Sequence, residues 1–294
     1  MRHSLLLALA FIPGPLVAQS ADEKKATIQF LAALQQRDGG FIPEPPDRRV
    51  DVTLQSSLRA TSGAVRAIRY LGGEVPNKEK ALAFVKSCRS ADTGAFSDMP
   101  GGKGELAATA VGMMALAELE PGASQEKSLR YLVQKAKNFE DRRLAVAGME
   151  AAGTFPPEVR EWIDVVNKDR NPDGTYGKDS GRARDTGSVV AMILRSGNTL
   201  SDEHRKAVIA ALQAGQRPDG GFGKADTKES DPETTYRVMR AFHLLKEKPK
   251  DVAKLQEFVG RCRNADGGYG PTPGKPSTVS GTYYAAVIGY WLAK

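Results

Sequence analysis

A turn that recurs five times is the feature that most restricts the fold of this 294-residue chain. Each copy has an aspartate, a glycine one or two residues later, and an aromatic residue after that. Aspartate caps such a turn with its side chain, and glycine supplies the positive φ that tight turns need. The aspartates are spaced by 54, 81, 46 and 47 residues, at Asp38, Asp92, Asp173, Asp219 and Asp266. Periods near 46 residues indicate stacked structural repeats.

Helix-like patterns occupy the intervals between the turns. An amphipathic segment such as 78–89 or 201–214 precedes the turn, and a second pattern rich in Ala and Val follows it. The 81-residue interval hides a sixth, shortened unit, whose turn we place at 138–141. Six units of two helices predict an all-α protein of about twelve helices.

Repeats of this kind stack into an open solenoid or close into a ring. An open solenoid needs a polar cap at each end. The last helical pattern of this chain instead ends in the apolar run 284–292. Closure is therefore favoured.

The turns and the helix start Asp-Pro-Glu-Thr-Thr-Tyr-Arg at 231–237 resemble the prenyltransferase and squalene-cyclase repeat superfamily. The resemblance extends over nearly all of the chain after its N-terminal segment. It implies an α/α toroid, an α6/α6 barrel of six helical hairpins in which an inner and an outer helix ring enclose a central cavity.

The first twenty residues are typical of a targeting segment. Arg2 and His3 precede the apolar run 5–12, and Pro-Gly-Pro at 13–15 comes before small residues at 18–21. We therefore expect a signal peptide at 1–20, an exported (periplasmic or secreted) toroid domain at 21–294, and no integral membrane segment. The net charge of +7 is spread without a basic run, so no nucleic-acid partner is expected.

One column of the aligned inner helices holds threonine in five of the six units. We expect these residues to cap or back-bond near the helix start, as scaffold rather than site. The turn aromatics should likewise fill the gap between paired helices. The threonines are Thr61, Thr109, Thr186, Thr235 and Thr282, and the aromatics are Phe41, Phe96, Tyr176, Phe222 and Tyr269.

Positions that differ between repeats are the better candidates for a site. Counted from the threonine, positions −2, +1 and +5 lie on one helical face, which we expect to point into the cavity near the inner-helix N-termini. Such termini favour anions through their free N–H groups. The candidate ligand-binding residues on this face are Arg59, Arg184, Glu233, Tyr236, Arg240 and Tyr283. Asp185, which is next to Arg184 in the sequence, is added to them.

The resemblance also implies a zinc site of Asp, Cys and His in protein prenyltransferases. Those positions fall here on Glu233, Thr235 and Gly281, and the chain has only three histidines. We expect no metal and no cofactor. Tyr236 matches the family's diphosphate-binding tyrosine, with Lys224 and Lys228 upstream, whereas the Asp-x-Asp-Asp motif of squalene-type cyclases is absent.

Three functions remain open. The favoured one is binding of an apolar or anionic small molecule, or a peptide, in the central cavity without zinc chemistry. An alternative is an enzyme like the β-subunit of a geranylgeranyl or farnesyl transferase, which leaves room for a partner subunit. A second alternative is a polysaccharide lyase or glycosidase: Tyr236 or Tyr283 would act with Arg184 or Arg240, or Asp185 with Glu233.

The two cysteines occupy equivalent positions in different units. Cys88 and Cys262 each stand four residues before a turn aspartate. Units that far apart on a ring place the two residues beyond disulfide reach. We expect two buried free thiols at the ends of outer helices.

Overall fold

The computed structural model describes residues 19–47 and 53–294, which form twelve α-helices. The outer helices are α1 (Ala21–Ala33), α3 (Lys78–Ser87), α5 (Glu126–Lys135), α7 (Glu158–Lys168), α9 (Asp202–Ala214) and α11 (Val252–Arg261). The inner helices are α2 (Leu58–Tyr70), α4 (Leu106–Leu119), α6 (Phe139–Ala152), α8 (Arg182–Arg195), α10 (Pro232–Leu245) and α12 (Val279–Leu292). The all-α prediction and the helix number are confirmed.

The shortened sixth unit lies where the sequence predicted it. Asn138 is the N-cap of α6, and its side chain accepts a hydrogen bond from the Asp141 backbone N–H. The Asp141 side chain accepts one from the N-cap backbone in return, which completes a capping box. This local pairing starts an inner helix without the Asp-Gly turn of the other units.

The inner helices form a closed ring. Each contacts its two neighbours in the order α2, α4, α6, α8, α10, α12, and α12 contacts α2 again. The outer helices are linked through the turns, because turn glycines of positive φ lie against the outer helix of the following unit. A Cβ on Gly39 would lie 2.3 Å from the backbone of Lys80 in α3, and one on Gly267 2.7 Å from the Ala26 carbonyl oxygen in α1. The last turn thus docks on the first helix.

The threonine column ties each turn to its inner helix. In all five units the threonine hydroxyl accepts a hydrogen bond from the backbone N–H of the turn aromatic, at 2.9–3.0 Å. Thr61, Thr109 and Thr282 also donate to the carbonyl four residues earlier, at 2.7 Å. The turn aromatics are at most 2% exposed. The predicted structural role of both columns is confirmed.

Both cysteines are buried free thiols, as predicted. Cys88 and Cys262 are the C-cap residues of the outer helices α3 and α11. Burial raises the pKa of each thiol to about 11, which keeps it protonated and unreactive.

The N-terminal prediction falls mostly outside the described residues. Of the expected signal peptide at 1–20, the structure describes Gln19 and Ser20, and Ser20 caps α1. In the described part of the chain, no helix has the length and apolar character needed to cross a membrane.

Candidate ligand-binding site

Three of the sequence-predicted site residues meet on the inner face of α10 and α12. The Arg240 guanidinium donates a hydrogen bond to the Tyr236 hydroxyl at 2.6 Å, and this hydroxyl lies 3.2 Å from that of Tyr283. The Arg240 side chain is 10% exposed. Residues 236 and 240 are one helical turn apart, which puts both side chains on one face of α10. The repeat comparison therefore identified a real side-chain cluster.

Aromatic rings enclose this cluster. Tyr236 stacks on Trp291 with ring centroids 5.5 Å apart, and His243 stacks on the same indole at 5.3 Å. The Arg240 guanidinium carbon lies 4.7 Å from the Trp291 ring centroid, within cation–π range. Tyr284 packs 5.1 Å from Tyr236. These rings hold Arg240 in place and surround it with polarizable groups.

Two further arginines and one glutamate complete the cluster, and the candidate set omitted them. The Arg66 guanidinium carbon lies 4.7 Å from the ring centroid of Tyr283. Arg195 Nε lies 3.0 Å from Glu150 Oε2, an ion pair without good hydrogen-bond geometry. Arg240 approaches the same carboxylate oxygen at 3.9 Å. Arg66 shares the +5 column with Arg240 and was detectable there, and Arg195 stands in a variable column nine residues after Thr186. Glu150 was not detectable in this way, because α6 has no threonine to align it with the other inner helices.

The cluster carries an excess of positive charge. Three guanidinium groups from α2, α8 and α10 surround the paired tyrosines. Within residues 19–47 and 53–294, Glu150 is the one carboxylate in ion-pair contact with any of them. The cluster also reaches deeper into the ring than the inner-helix N-termini where the sequence placed it.

This charge distribution separates the acidities of the two tyrosines. Burial opposes ionisation of Tyr236, but Arg240, Arg66 and Arg195 outweigh it and lower the pKa to about 6. The pKa of Tyr283 is raised well above its ordinary value, chiefly by burial. Tyr236 differs because its oxygen accepts the Arg240 hydrogen bond. Burial lowers the pKa of Arg195 to about 10, and the group stays cationic at neutral pH.

Arg66 and Tyr283 line a cavity of about 690 Å³ between α2, α4 and α12. Arg59, a predicted site residue, lines it too but is bound to Asp98 at 3.1 Å and to Glu105 at 3.0 Å. Arg66 has no carboxylate partner of this kind among the described residues. Glu44 and Asp98 also line the cavity, and Asp98 is held by Arg59, so Arg66 is the guanidinium of this cavity that has no ion pair with a described carboxylate.

The other predicted residues form a rim of ion pairs near the N-termini of α6, α8 and α10. Arg237 bridges Glu233 at 2.8 Å and Glu140 at 3.1 Å, and Arg184 lies 3.5 Å from Asp185. Burial raises the pKa of Asp185. Burial also works against ionisation of Glu140, but Arg143 and Arg237 hold its pKa below the usual range. Here charges of both signs are matched, in contrast to the Arg66–Arg240 cluster.

The positions at which the resemblance implies zinc do not fit a metal. The Thr235 hydroxyl is bound to the Phe222 backbone, and Glu233 is paired with Arg237. A Cβ at Gly281 would lie 2.5 Å from the Tyr269 carbonyl oxygen, so no histidine fits there on this backbone. Over the described part of the chain, no group of three or more His, Cys, Asp and Glu side chains is arranged to hold a metal. That the protein binds no zinc stays a prediction.

The closed double ring, with its side-chain cluster on the inner helices, defines an α/α toroid protein. The chain matches the prenyltransferase alpha-alpha toroid domain over residues 2–153 and again over 143–293. It belongs to this family, and the resemblance seen in the sequence is confirmed.

Several known proteins are similar to this chain. Drimenyl diphosphate synthase from Streptomyces showdoensis is 27% identical over 125 residues, which cover 40% of this chain and 24% of that protein. The chain therefore matches about a quarter of the length of this curated relative.

Solved structures share the fold at low identity. A type II terpene cyclase from Scytonema has a TM-score of 0.62 at 11% identity, covering 93% of this chain and 97% of that one. A family 76 glycoside hydrolase (mannosidase) from Bacteroides thetaiotaomicron has a TM-score of 0.62 at 10% identity, and the match covers 93% of this chain and 97% of that one. Candida albicans protein geranylgeranyltransferase-I, complexed with GGPP, has a TM-score of 0.60 at 12% identity, and the match covers 79% of this chain and 82% of that one. Sequence identities this low show a common fold. Any chemistry of this chain has to be argued from its own side chains.

Proposed function

We propose that this toroid binds an organic anion in the cavity between α2, α4 and α12. The observation that carries the proposal is the excess of guanidinium groups over carboxylates around Tyr236 and Tyr283. Buried charge is costly without compensation, so a site built in this way favours a ligand that brings negative charge. Phosphate, sulfate and carboxylate groups all satisfy guanidinium donors.

The anionic group contacts Arg66, because Arg66 lines the cavity and lacks an ion-pair partner among the described residues. Arg240 and Arg195 add positive potential from the inner side of the cluster. The aromatic walls formed by Tyr283 and Tyr284 accept an apolar body. The proposed ligand is therefore amphipathic, with one anionic end.

The test compares two detergents below their micelle-forming concentrations. Octyl sulfate and octyl glucoside have the same alkyl chain, but only the sulfate is charged. Calorimetric titration should show at least tenfold tighter binding of octyl sulfate, and Arg66→Gln should remove this preference, a loss of about 1.4 kcal/mol or more. Arg130→Gln makes the same substitution on the exposed face of outer helix α5 and should bind like the wild type. Equal affinity for the two detergents, or an unaffected Arg66→Gln variant, would refute the proposal.

A lyase acting on uronate polymers is the second candidate, favoured by the lowered pKa of Tyr236. A tyrosine that ionises near neutral pH can remove the proton next to a uronate carboxylate, while an arginine neutralises that carboxylate. The carbon–oxygen bond at the β-position then breaks, and the leaving sugar oxygen takes up a proton. Alginate, polygalacturonate and hyaluronate should be tested for the ultraviolet absorbance of the unsaturated product. No absorbance with any polymer, or activity that survives in Tyr236→Phe, would remove this candidate.

We also propose that the chain is exported and that the mature protein begins near residue 21. Support comes from the charged, apolar and small-residue segments of 1–20. Expression of the full chain with a periplasmic marker, followed by intact-mass analysis, should give a product shortened by about 20 residues. A full-length product in the cytoplasmic fraction would contradict export.

A further inference from the structure

The cluster holds its own candidate anion, the hydroxyl oxygen of Tyr236. This oxygen accepts the Arg240 hydrogen bond at 2.6 Å and lies 3.2 Å from the Tyr283 hydroxyl. Tyr283 in turn lies under the Arg66 guanidinium, which lines the cavity. A continuous chain of contacts therefore connects the ligand cavity to Tyr236.

With one carboxylate for three guanidinium groups, the empty cluster needs a second negative charge. We infer that the Tyr236 phenolate supplies this charge when the cavity is empty, and that an anionic ligand replaces it, so that binding is coupled to uptake of one proton by Tyr236. This inference rests on the proposed function and adds its regulation by pH. The step balances, since the phenolate takes one proton from solvent as the ligand adds its own negative charge.

The groups around Tyr236 agree with this assignment. The basic groups are Arg66 from α2, Arg195 from α8 and Arg240 from α10, and they all lower the pKa of Tyr236. Glu150 from α6 is already paired with Arg195, and Glu233 of α10 with Arg237. The remaining titratable neighbours are Tyr70 from α2, Tyr283 and Tyr284 from α12, and His243 from α10.

Tyr283, Tyr284 and His243 are each less ready than Tyr236 to exchange a proton near neutral pH. Burial raises the pKa values of Tyr283 and Tyr284 well above the ordinary value for tyrosine, so both side chains stay protonated. Burial and then Arg240 lower the pKa of His243, which keeps its ring neutral. At Tyr236 the three arginines lower the pKa, and the Arg240 hydrogen bond at 2.6 Å stabilises the phenolate form.

The affinity for an anionic ligand should fall as the pH rises above the pKa of Tyr236. Below the pKa of Tyr236 the phenol is already protonated, and a ligand binds without taking up a proton. Above it, every ligand molecule must bind together with a proton, so affinity falls by up to tenfold for each pH unit. The fall ends where the pH exceeds the raised pKa of Tyr236 in the complex.

Octyl sulfate is a suitable probe, because its head group keeps one charge throughout this range. Calorimetry in buffers of different ionisation enthalpy should show close to one proton taken up per ligand at about pH 7.5, and close to none at about pH 5. Affinity of the wild type should fall by up to about 100-fold between about pH 6 and about pH 8. Tyr236→Phe should bind with pH-independent affinity and take up no proton.

Tyr131→Phe removes a hydroxyl from outer helix α5 and should retain the wild-type pH profile. A second readout needs no ligand: the tyrosinate absorbance of the free protein at neutral pH should disappear in Tyr236→Phe. Tight binding without proton uptake would overturn the inference and leave the proposed function standing. Proton uptake that persists in Tyr236→Phe but is lost in His243→Gln would place the proton on His243. That result would also overturn the inference. Absence of octyl sulfate binding would overturn the proposed function and the coupling together.

Discussion

Arg240 shows how a column of packing residues in a repeat protein can hold a buried charge in one unit. The equivalent positions on α4, α8 and α12 hold Met114, Ala191 and Val287, which are ordinary packing residues. Arg240 is equally buried, but it is held by the Tyr236 hydroxyl, by the Trp291 ring and by a distant Glu150. Tyr236 raises the pKa of Arg240 against the opposing effect of burial, so the charge is retained.

Replacing Arg240 should change the acidity of Tyr236. Arg240→Met keeps a long apolar side chain and removes the hydrogen bond and the charge closest to the phenol. The pKa of Tyr236 should rise from about 6 towards or beyond about 10, because burial then dominates. Ultraviolet titration of tyrosinate measures this shift, and Arg240→Lys should produce a smaller one. An unchanged tyrosinate titration in Arg240→Met would show that Arg240 does not set this pKa.

At the scale of the helices, the repeated threonine makes the same hydrogen bond in five units. It accepts the N–H of a buried turn aromatic that would otherwise have no partner, as between Thr109 and Phe96. The turn and the inner helix are thereby joined at a fixed register. The same contact therefore recurs in five units although the intervals between their turns differ in length.

Thr109→Val should test the contact, since valine has a similar shape but cannot accept a hydrogen bond. The buried Phe96 N–H would be left unpaired, and the free energy of unfolding should fall by about 1–3 kcal/mol. Thr154→Val, at an exposed position, should change it by less than about 0.5 kcal/mol. Urea denaturation of the three proteins gives the comparison. Equal stabilities would mean that the threonine column is not structural.

The helices could be predicted in more detail than the site, for a physical reason. The turns recur, so the contacts that define the fold appear several times in one chain and reinforce one another. The cluster of Tyr236, Arg240 and Tyr283 occurs once, and these residues were detectable because they stand in columns where the repeats differ. Arg195 also stands in a variable column, but Glu150 lies on α6, which has no threonine to align it. The pairing of Arg195 with Glu150 depends on the curvature of the closed ring.

At the scale of the whole molecule, closure depends on the contact between the last turn and the first helix. Gly267 has φ of +86° and lies against the backbone of Ala26, and the Thr27 hydroxyl donates to its carbonyl at 2.8 Å. The same glycine-to-helix contact joins other consecutive units around the ring. Closing the ring buries both terminal units, which an open solenoid would leave exposed.

Gly267→Ala should therefore weaken closure more than a matched change elsewhere. Gly274 also has positive φ, at +76°, but no atom lies within 4 Å of the site of a Cβ. Gly274→Ala should lower the free energy of unfolding by about 1–2 kcal/mol through backbone strain alone. Gly267→Ala should cost about 1–3 kcal/mol more, because the α1 backbone must move away. Thermal unfolding with limited proteolysis of α1 measures both, and equal losses would contradict this account of closure.

A crystal structure of the protein with selenate tests the central claim most directly, because selenate has the charge and shape of sulfate and its anomalous signal locates it. We predict an anomalous peak inside the cavity between α2, α4 and α12, within hydrogen-bond distance of the Arg66 guanidinium, and its loss in crystals of Arg66→Gln. Peaks confined to the outer surface, with the cavity free of selenate in the wild type, would contradict the assignment of this cluster as an anion site.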